Sequence, residues 1–239
     1  MTFKKEIANI FNILATPSEV FRDICEAPRW RVPFIFFVLS SITIGWFMIP
    51  AIMEPMKKIF YSSFGDSGSD AAISAIMKSM LVLQLILEPF FKIVRWVVFA
   101  GILFFLSMLF AKDIPNLFRR IFSVVAYSEA MFILMSTITV LFIYAKGLQS
   151  IEGSDDLTVV QGLEYFLKDK ASNAALLAVL SNINPFSIWY ILTVSVGLRV
   201  VADMDRSQAF ATAAIGWFGW IALSILQPAA MKFVMDLIV

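Results

Sequence analysis

The chain of 239 residues contains no histidine. That absence removes Ser-His and Cys-His nucleophiles, His-ligated metals and the side chain that ordinarily titrates near neutral pH. One cysteine, Cys25, stands in a helix-like stretch near the N-terminus, so no internal disulfide can form and packing is its expected role. Charge is scarce, with 15% charged residues against about 25% in an ordinary soluble domain. The net charge of +1 supplies no field for nucleic acid. Gly147, Gly153 and Gly162 are too scattered for a phosphate loop, and no dinucleotide fingerprint occurs. The acidic pair Asp155 and Asp156 falls short of the ligands that calcium needs. The opening MTFKKEIANIFNIL is charged and amphipathic and does not read as a signal peptide. Any enzyme would have to work with Asp, Glu, Lys, Tyr and Ser, so the chain is read as non-enzymatic, with no cofactor and no metal.

What is present is apolar. Hydrophobic residues make up 60% and aromatics 15% of the chain, and mean hydropathy is +0.84. This predicts an all-α polytopic membrane protein. Residues 1–32 read as cytosolic amphipathic helices. Phe3, Ile7, Ile10, Phe11 and Leu14 recur at helical spacing as a membrane-surface face, with Lys4, Lys5, Glu6, Asn9 and Asn12 opposite. Thr16-Pro17-Ser18-Glu19 has the pattern of a capping box opening a second helix. Residues 33–239 read as a membrane domain of five spans, about 33–53, 90–111, 121–145, 186–202 and 208–226. Two Pro-interrupted amphipathic or re-entrant helices, 71–87 and 171–183, precede the second and fourth spans, with breaks at Glu88-Pro89 and Asn184-Pro185. Paired interruptions of this kind mark transporter repeats, although interfacial helices feeding into spans through prolines give the same pattern. Asp205 or Ser207 should cap the fifth span, and Gln227-Pro228 should bend it.

Five spans place the termini on opposite sides. Lys4, Lys5, Arg22, Arg29, Arg31, Lys112, Arg119, Arg120, Arg199 and Arg206 fall on one side, in short segments. Lys57, Lys58, Lys78, Lys146, Lys168, Lys170 and Lys232 fall on the other. The positive-inside rule puts the N-terminus in the cytoplasm and the C-terminus outside.

The stretches ILATPSEVFRDICEAPRWRVPF, FRRIFSVVAYSEAMF and NPFSIWYILTVSVGLRVVADMDRSQAFATAAIGWF, in this order, resemble the Yip family of Ypt/Rab-interacting integral membrane proteins, in its bacterial branch. The resemblance implies a five-span helical bundle with a cytosolic N-terminus and no catalytic activity. Eukaryotic members bind Rab-type GTPases and carry a long polar N-terminal arm. Here only residues 1–32 precede the first span, which implies a short prokaryotic-type member of an inner (plasma) membrane and argues against a Rab-type partner. The family often has a proline soon after the tyrosine-small pair, and this chain has Met131 in that neighbourhood, so no proline kink is expected there.

Three constellations stand out. Glu129 lies inside the third span, where an acidic residue costs on the order of 3 kcal/mol on insertion scales. With Tyr127 and Ser128, and with Arg199 favoured over Arg95 as its partner, it forms a candidate intramembrane polar cluster that either fastens helices or serves a functional site. Glu88, Lys92 and Arg95 share a helix face at the outer interface, as a snorkelling ion-pair group or a phosphate clamp. Ala209, Thr212, Ala213, Gly216 and Gly219 form a small-residue strip suited to packing or to a homo-oligomer face. The functional expectation is an adaptor or membrane-organising component whose partners are membrane lipids and other membrane proteins, transporter components among them. The alternative is a small transporter, channel or lipid-moving protein built on Glu129.

Overall fold

The computed structural model describes residues 3–64, 70–110, 114–151, 154–157, 159–167 and 174–238. Residues 65–69, Lys112, Gly153, Lys168 and Lys170 lie outside these residues, as do the side chains of Asp155 and Lys232. The described residues form α-helices and short 3-10 turns, with no strand among them.

The N-terminal pair is α1 (Phe3–Asn12) and α2 (Pro17–Glu26). Pro17 opens α2, but the capping box does not form. Thr16 Oγ1 instead donates to the Asn12 carbonyl at 3.3 Å, and Glu19 meets Thr16 through the backbone. The link between the helices is so short that the hydroxyl reaches the open carbonyls ending α1 first. The predicted apolar face of α1 splits. Phe3 and Phe11 are exposed and Ile7 and Leu14 partly so, whereas Ile10 is buried beside Glu6 and Asn9. The polar side turns inward because partners wait there for both groups, as shown below.

The long helices follow. α3 is Arg31–Phe64, α4 is Asp70–Ser107, α5 is Leu117–Ser128 and α6 is Ala130–Lys146. After short 3-10 turns come α7 (Ala174–Ser181), α8 (Pro185–Val201) and α9 (Arg206–Ile238). The predicted break at Glu88-Pro89 is absent, because α4 runs through Pro89 for 38 residues. α3 likewise runs through Pro50 and Pro55, and α9 continues past Pro228. A proline removes one ladder hydrogen bond, but in apolar surroundings a full break would strand several more backbone groups. Asn184-Pro185 does interrupt the chain. Asn184 Oδ1 accepts from Phe186 and Ser187 N–H at 3.0 Å each, and Ser187 Oγ accepts from Asn184 N–H at 2.9 Å. Asp205 stands just before α9, with its N–H donating to Gln208 Oε1 at 3.2 Å.

The chain forms two compact units. One comprises Met1–Phe34, Arg95–Phe132 and Gln161–Val239. Within it α8 packs against α2, α5 and α9. Gly197 makes the approach of α2 and α5 possible, since a Cβ there would lie 2.4 Å from Val124 Cγ1 and 3.2 Å from the Phe21 ring. The small-residue strip of α9 is also used inside this unit. Ala209, Thr212 and Ala213 are buried, and a Cβ on Gly216 would meet Leu103 at 2.6 Å. At Gly219 the nearest atom is Ile102 Cγ2 at 4.0 Å.

The other unit comprises Ile35–Val94 and Ile133–Val160. Ala51, Ile143 and Ile151 form one buried cluster in it, flanked by Met48, Leu148, Leu157 and Val159. Tyr144 donates its hydroxyl to the Phe47 carbonyl at 2.9 Å. Gly45 lies so close to Leu85 that a Cβ would come within 2.3 Å of its Cδ2.

Large apolar side chains are exposed throughout, for instance Leu109 at 72%, Phe105 at 71% and Ile86 at 67%. A soluble monomer rarely shows so much apolar surface. Among the described residues, three helical stretches are long and apolar enough to cross a membrane: Arg31–Met53, Asp70–Ser107 and Leu117–Lys146. α8 is a shorter apolar helix of 17 residues. The protein is therefore an α-helical membrane protein.

Candidate functional site

Glu129 stands where the third candidate span changes geometry. α5 ends at Ser128 and α6 begins at Ala130, and the Phe132 N–H bonds to the Glu129 carbonyl at 3.0 Å in a tightened, 3-10-type turn. No proline is needed for this irregularity.

The Glu129 carboxylate is 2% exposed and accepts from the Arg95 guanidinium. It also accepts from Trp96 Nε1–H at 3.3 Å. Arg95 lies over the Phe132 ring, with Cζ 5.7 Å from its centroid. Around them Phe132, Tyr190 and Trp217 make a continuous aromatic wall. The centroids of Phe132 and Tyr190 are 4.8 Å apart, and Phe132 stacks on Trp217 at 5.7 Å and 18°. Such a pair replaces water around both charges, and the indole and the ring face supply further stabilisation.

The expected partner Arg199 is not the partner found. Val124 stands against Gly197 and Phe132 against Tyr190, an antiparallel register that sets Arg199 level with residue 122. Glu129 is then about seven residues deeper, or roughly 10 Å of helix rise, and Arg199 stays exposed. Tyr127 and Ser128 do not join the cluster either. Both are buried, with hydroxyls that find no hydrogen-bond partner. At 100° per residue Tyr127 lies almost opposite Glu129 on the helix, and it feels the charges of Glu6, Asp23 and Arg29. The outer group divides as well. Lys92 Nζ pairs with Glu88 Oε1 at 3.4 Å, while Arg95 serves Glu129.

A second polar constellation ties down the N-terminal helices. Arg29 Nη1 donates to buried Glu6 at 2.8 Å. Lys5 Nζ donates to Asp23 Oδ1 at 2.7 Å, and Asn9 Nδ2 to Asp23 Oδ2 at 3.0 Å. Burial opposes the charge on Asp23, but the hydrogen bonds from Lys5 and Asn9 outweigh it and hold its carboxyl below the usual aspartate range. The same bond raises the Lys5 ammonium above its ordinary value. Burial pushes the partly buried Cys25 thiol up, and its S–H donates to the Val200 carbonyl at 3.4 Å. The sequence placed Glu6 and Asn9 on the solvated side, and no spacing rule joins them to Asp23 and Arg29. The tryptophans were visible as residues, but their convergence required the helix register. Among the described residues no group of His, Cys, Asp or Glu could hold a metal ion.

A helical membrane protein with a tied, aromatic-walled ion pair at mid-helix is the class these observations define. The model of the Yip1 domain family matches residues 11–226, and the chain belongs to that family. No curated protein and no solved structure matches it.

Proposed function

We propose that the protein is a non-enzymatic adaptor or membrane-organising component that binds other membrane proteins or lipids. Its membrane domain would use five spans over 33–239, with residues 1–32 on the cytosolic leaflet of a bacterial-type inner membrane and the C-terminus outside. The observation that carries the reading is the state of Glu129. Its carboxylate is held by Arg95 and Trp96 among packed aromatics, and the adjoining, partly open pocket has room for about one water. A transport pathway needs a wider wet cavity at such a residue. The exposed Phe3 and Phe11 of α1, on a helix clasped from its other side, add support for a leaflet-gripping N-terminus.

Two single-cysteine proteins in a Cys25→Ser background test these halves. Phe132→Cys in native membranes should resist water-soluble maleimides from both sides, and labelling from either side rejects the dry bundle. A spin label on Phe11→Cys should be more accessible to oxygen than to a nickel chelate, and the reverse order puts α1 in water and removes the leaflet grip.

A further inference from the structure

Beside the Arg95–Glu129 pair lies a pocket lined by Arg95, Trp96, Phe132, Tyr190, Trp217 and Trp220, with Phe99 and Val125 completing its wall, and with about 220 Å³ of space between and outside its rings. Trp217 is 7% exposed, yet its Nε1–H is buried without an acceptor. An unmet buried donor costs about 1–3 kcal/mol, so a group bringing an acceptor here recovers that cost. Three features define the group. The partly open pocket has room for about one water-sized moiety at its inner end, so what it holds there is a single oxygen rather than a headgroup. The local charge is already balanced by Arg95 and Glu129, and an added ion in this low-dielectric setting would carry a desolvation cost. The walls are flat aromatic faces, Phe132 on Trp217 at 18°, which favour a slim or planar apolar body behind the oxygen.

We infer that the pocket receives the carbonyl oxygen of an uncharged, lipid-soluble group, hydrogen-bonded by Trp217 Nε1–H. Two molecules in a membrane carry that chemistry: the acyl-ester carbonyl of a diacyl lipid and the ring carbonyl of an isoprenoid quinone. Tyr190 lies near the Pro185 end of α8, about 8 Å of helix rise from it, a depth that either can reach. The site is distinct from the α1–α2 clasp and does not depend on the adaptor reading.

The experiment uses detergent-purified full-length protein and follows thermal unfolding with three additives: a diacyl phosphatidylethanolamine, its dialkyl ether analogue without carbonyls, and a short-chain ubiquinone. A rise in Tm of a few degrees with the diester but not the diether identifies the lipid ester, and a rise with the quinone identifies the quinone. Trp217→Phe keeps the ring and loses the donor, and should weaken the apparent affinity about tenfold, the worth of one hydrogen bond. The diester-to-diether comparison needs only the wild-type chain, so it stands if that variant fails to fold. Equal shifts from diester and diether with a silent quinone overturn the proposal. So does the absence of any shift, which leaves a trapped water as the partner of Trp217, and so does a folded Trp217→Phe protein that responds like the wild type.

Discussion

At the scale of single residues, the two members of the buried ion pair are not equivalent. The Glu129 side chain is 2% exposed and that of Arg95 is 35% exposed. Removing Arg95 strands a buried carboxylate, whereas removing the charge of Glu129 leaves a guanidinium that can shift outward. Arg95→Met should therefore cost about 3–5 kcal/mol, as breaking a buried pair does. Glu129→Gln keeps an acceptor for Arg95 and Trp96 and should cost about 1–2 kcal/mol. Chemical unfolding in mixed micelles measures both, and equal losses would contradict the asymmetry. Glycines give a second contrast. Gly197→Ala forces a Cβ to within 2.4 Å of Val124 Cγ1 and should destabilise by about 1–3 kcal/mol. Gly101→Ala meets nothing within 4 Å in the C-terminal part of α4, inside the helix, and should stabilise by about 0.5–1 kcal/mol. A Gly197→Ala protein as stable as wild type would mean that α8 does not pack as tightly as described. Glu129 was legible from sequence alone because a carboxylate in an apolar run has no inconspicuous explanation. Its partner was not, since choosing between Arg95 and Arg199 needs the register between helices, which no single-chain pattern contains.

At the scale of elements, the same dipeptide logic succeeds at Asn184-Pro185 and fails at Glu88-Pro89. Asparagine can accept from the N–H groups exposed at a helix start, and the Ser187 hydroxyl completes the arrangement. Glu88-Pro89 sits in an otherwise largely apolar helical run, and the helix continues through it. The α1–α2 clasp shows what periodicity misses, because the buried face of α1 contains a glutamate and an asparagine that pay for burial with partners on α2 and the following link. Its pH dependence follows from two opposite shifts. Asp23 is depressed in the folded state, so its contribution is present above the unfolded aspartate pKa of about 3.9 and is lost as pH falls through the lower folded value. Lys5 is raised, so its contribution is present below the unfolded lysine pKa of about 10.4 and is lost as pH rises through the higher folded value. α1 should thus stay docked from about pH 4 to about pH 10 and loosen outside that window. The Lys5 end of the pair is exposed while Asp23 is partly buried, so added salt should weaken the clasp. Hydrogen exchange of the α1 amides checks this, and a docking transition near pH 7 would assign the clasp to other groups.

At the scale of the whole molecule, composition alone established the class, because a chain with 60% hydrophobic residues has no soluble solution. The span count was harder to read, since helices such as α3 and α4, at 34 and 38 residues, are longer than the roughly 20 residues that a bilayer requires. Hydropathy cannot say which part of such a helix lies in hydrocarbon. The charge pattern offers an independent route. α2 docks on the end of α8 that carries Arg199, through Phe21 at Gly197 and Cys25 at Val200. This keeps the N-terminal helices with the arginine-bearing connectors, in agreement with the proposed cytoplasmic side. On the five-span reading, Ala8 and Ser207 face the cytoplasm and Ser150 faces outward, and all three are exposed. In a Cys25→Ser background, an impermeant thiol reagent should label Ser150→Cys in intact cells. Ala8→Cys and Ser207→Cys should react only after permeabilisation. Labelling of Ser150→Cys and Ser207→Cys from the same side would leave an even number of crossings between them and rule out the five-span topology. Labelling of Ala8→Cys in intact cells would invert it.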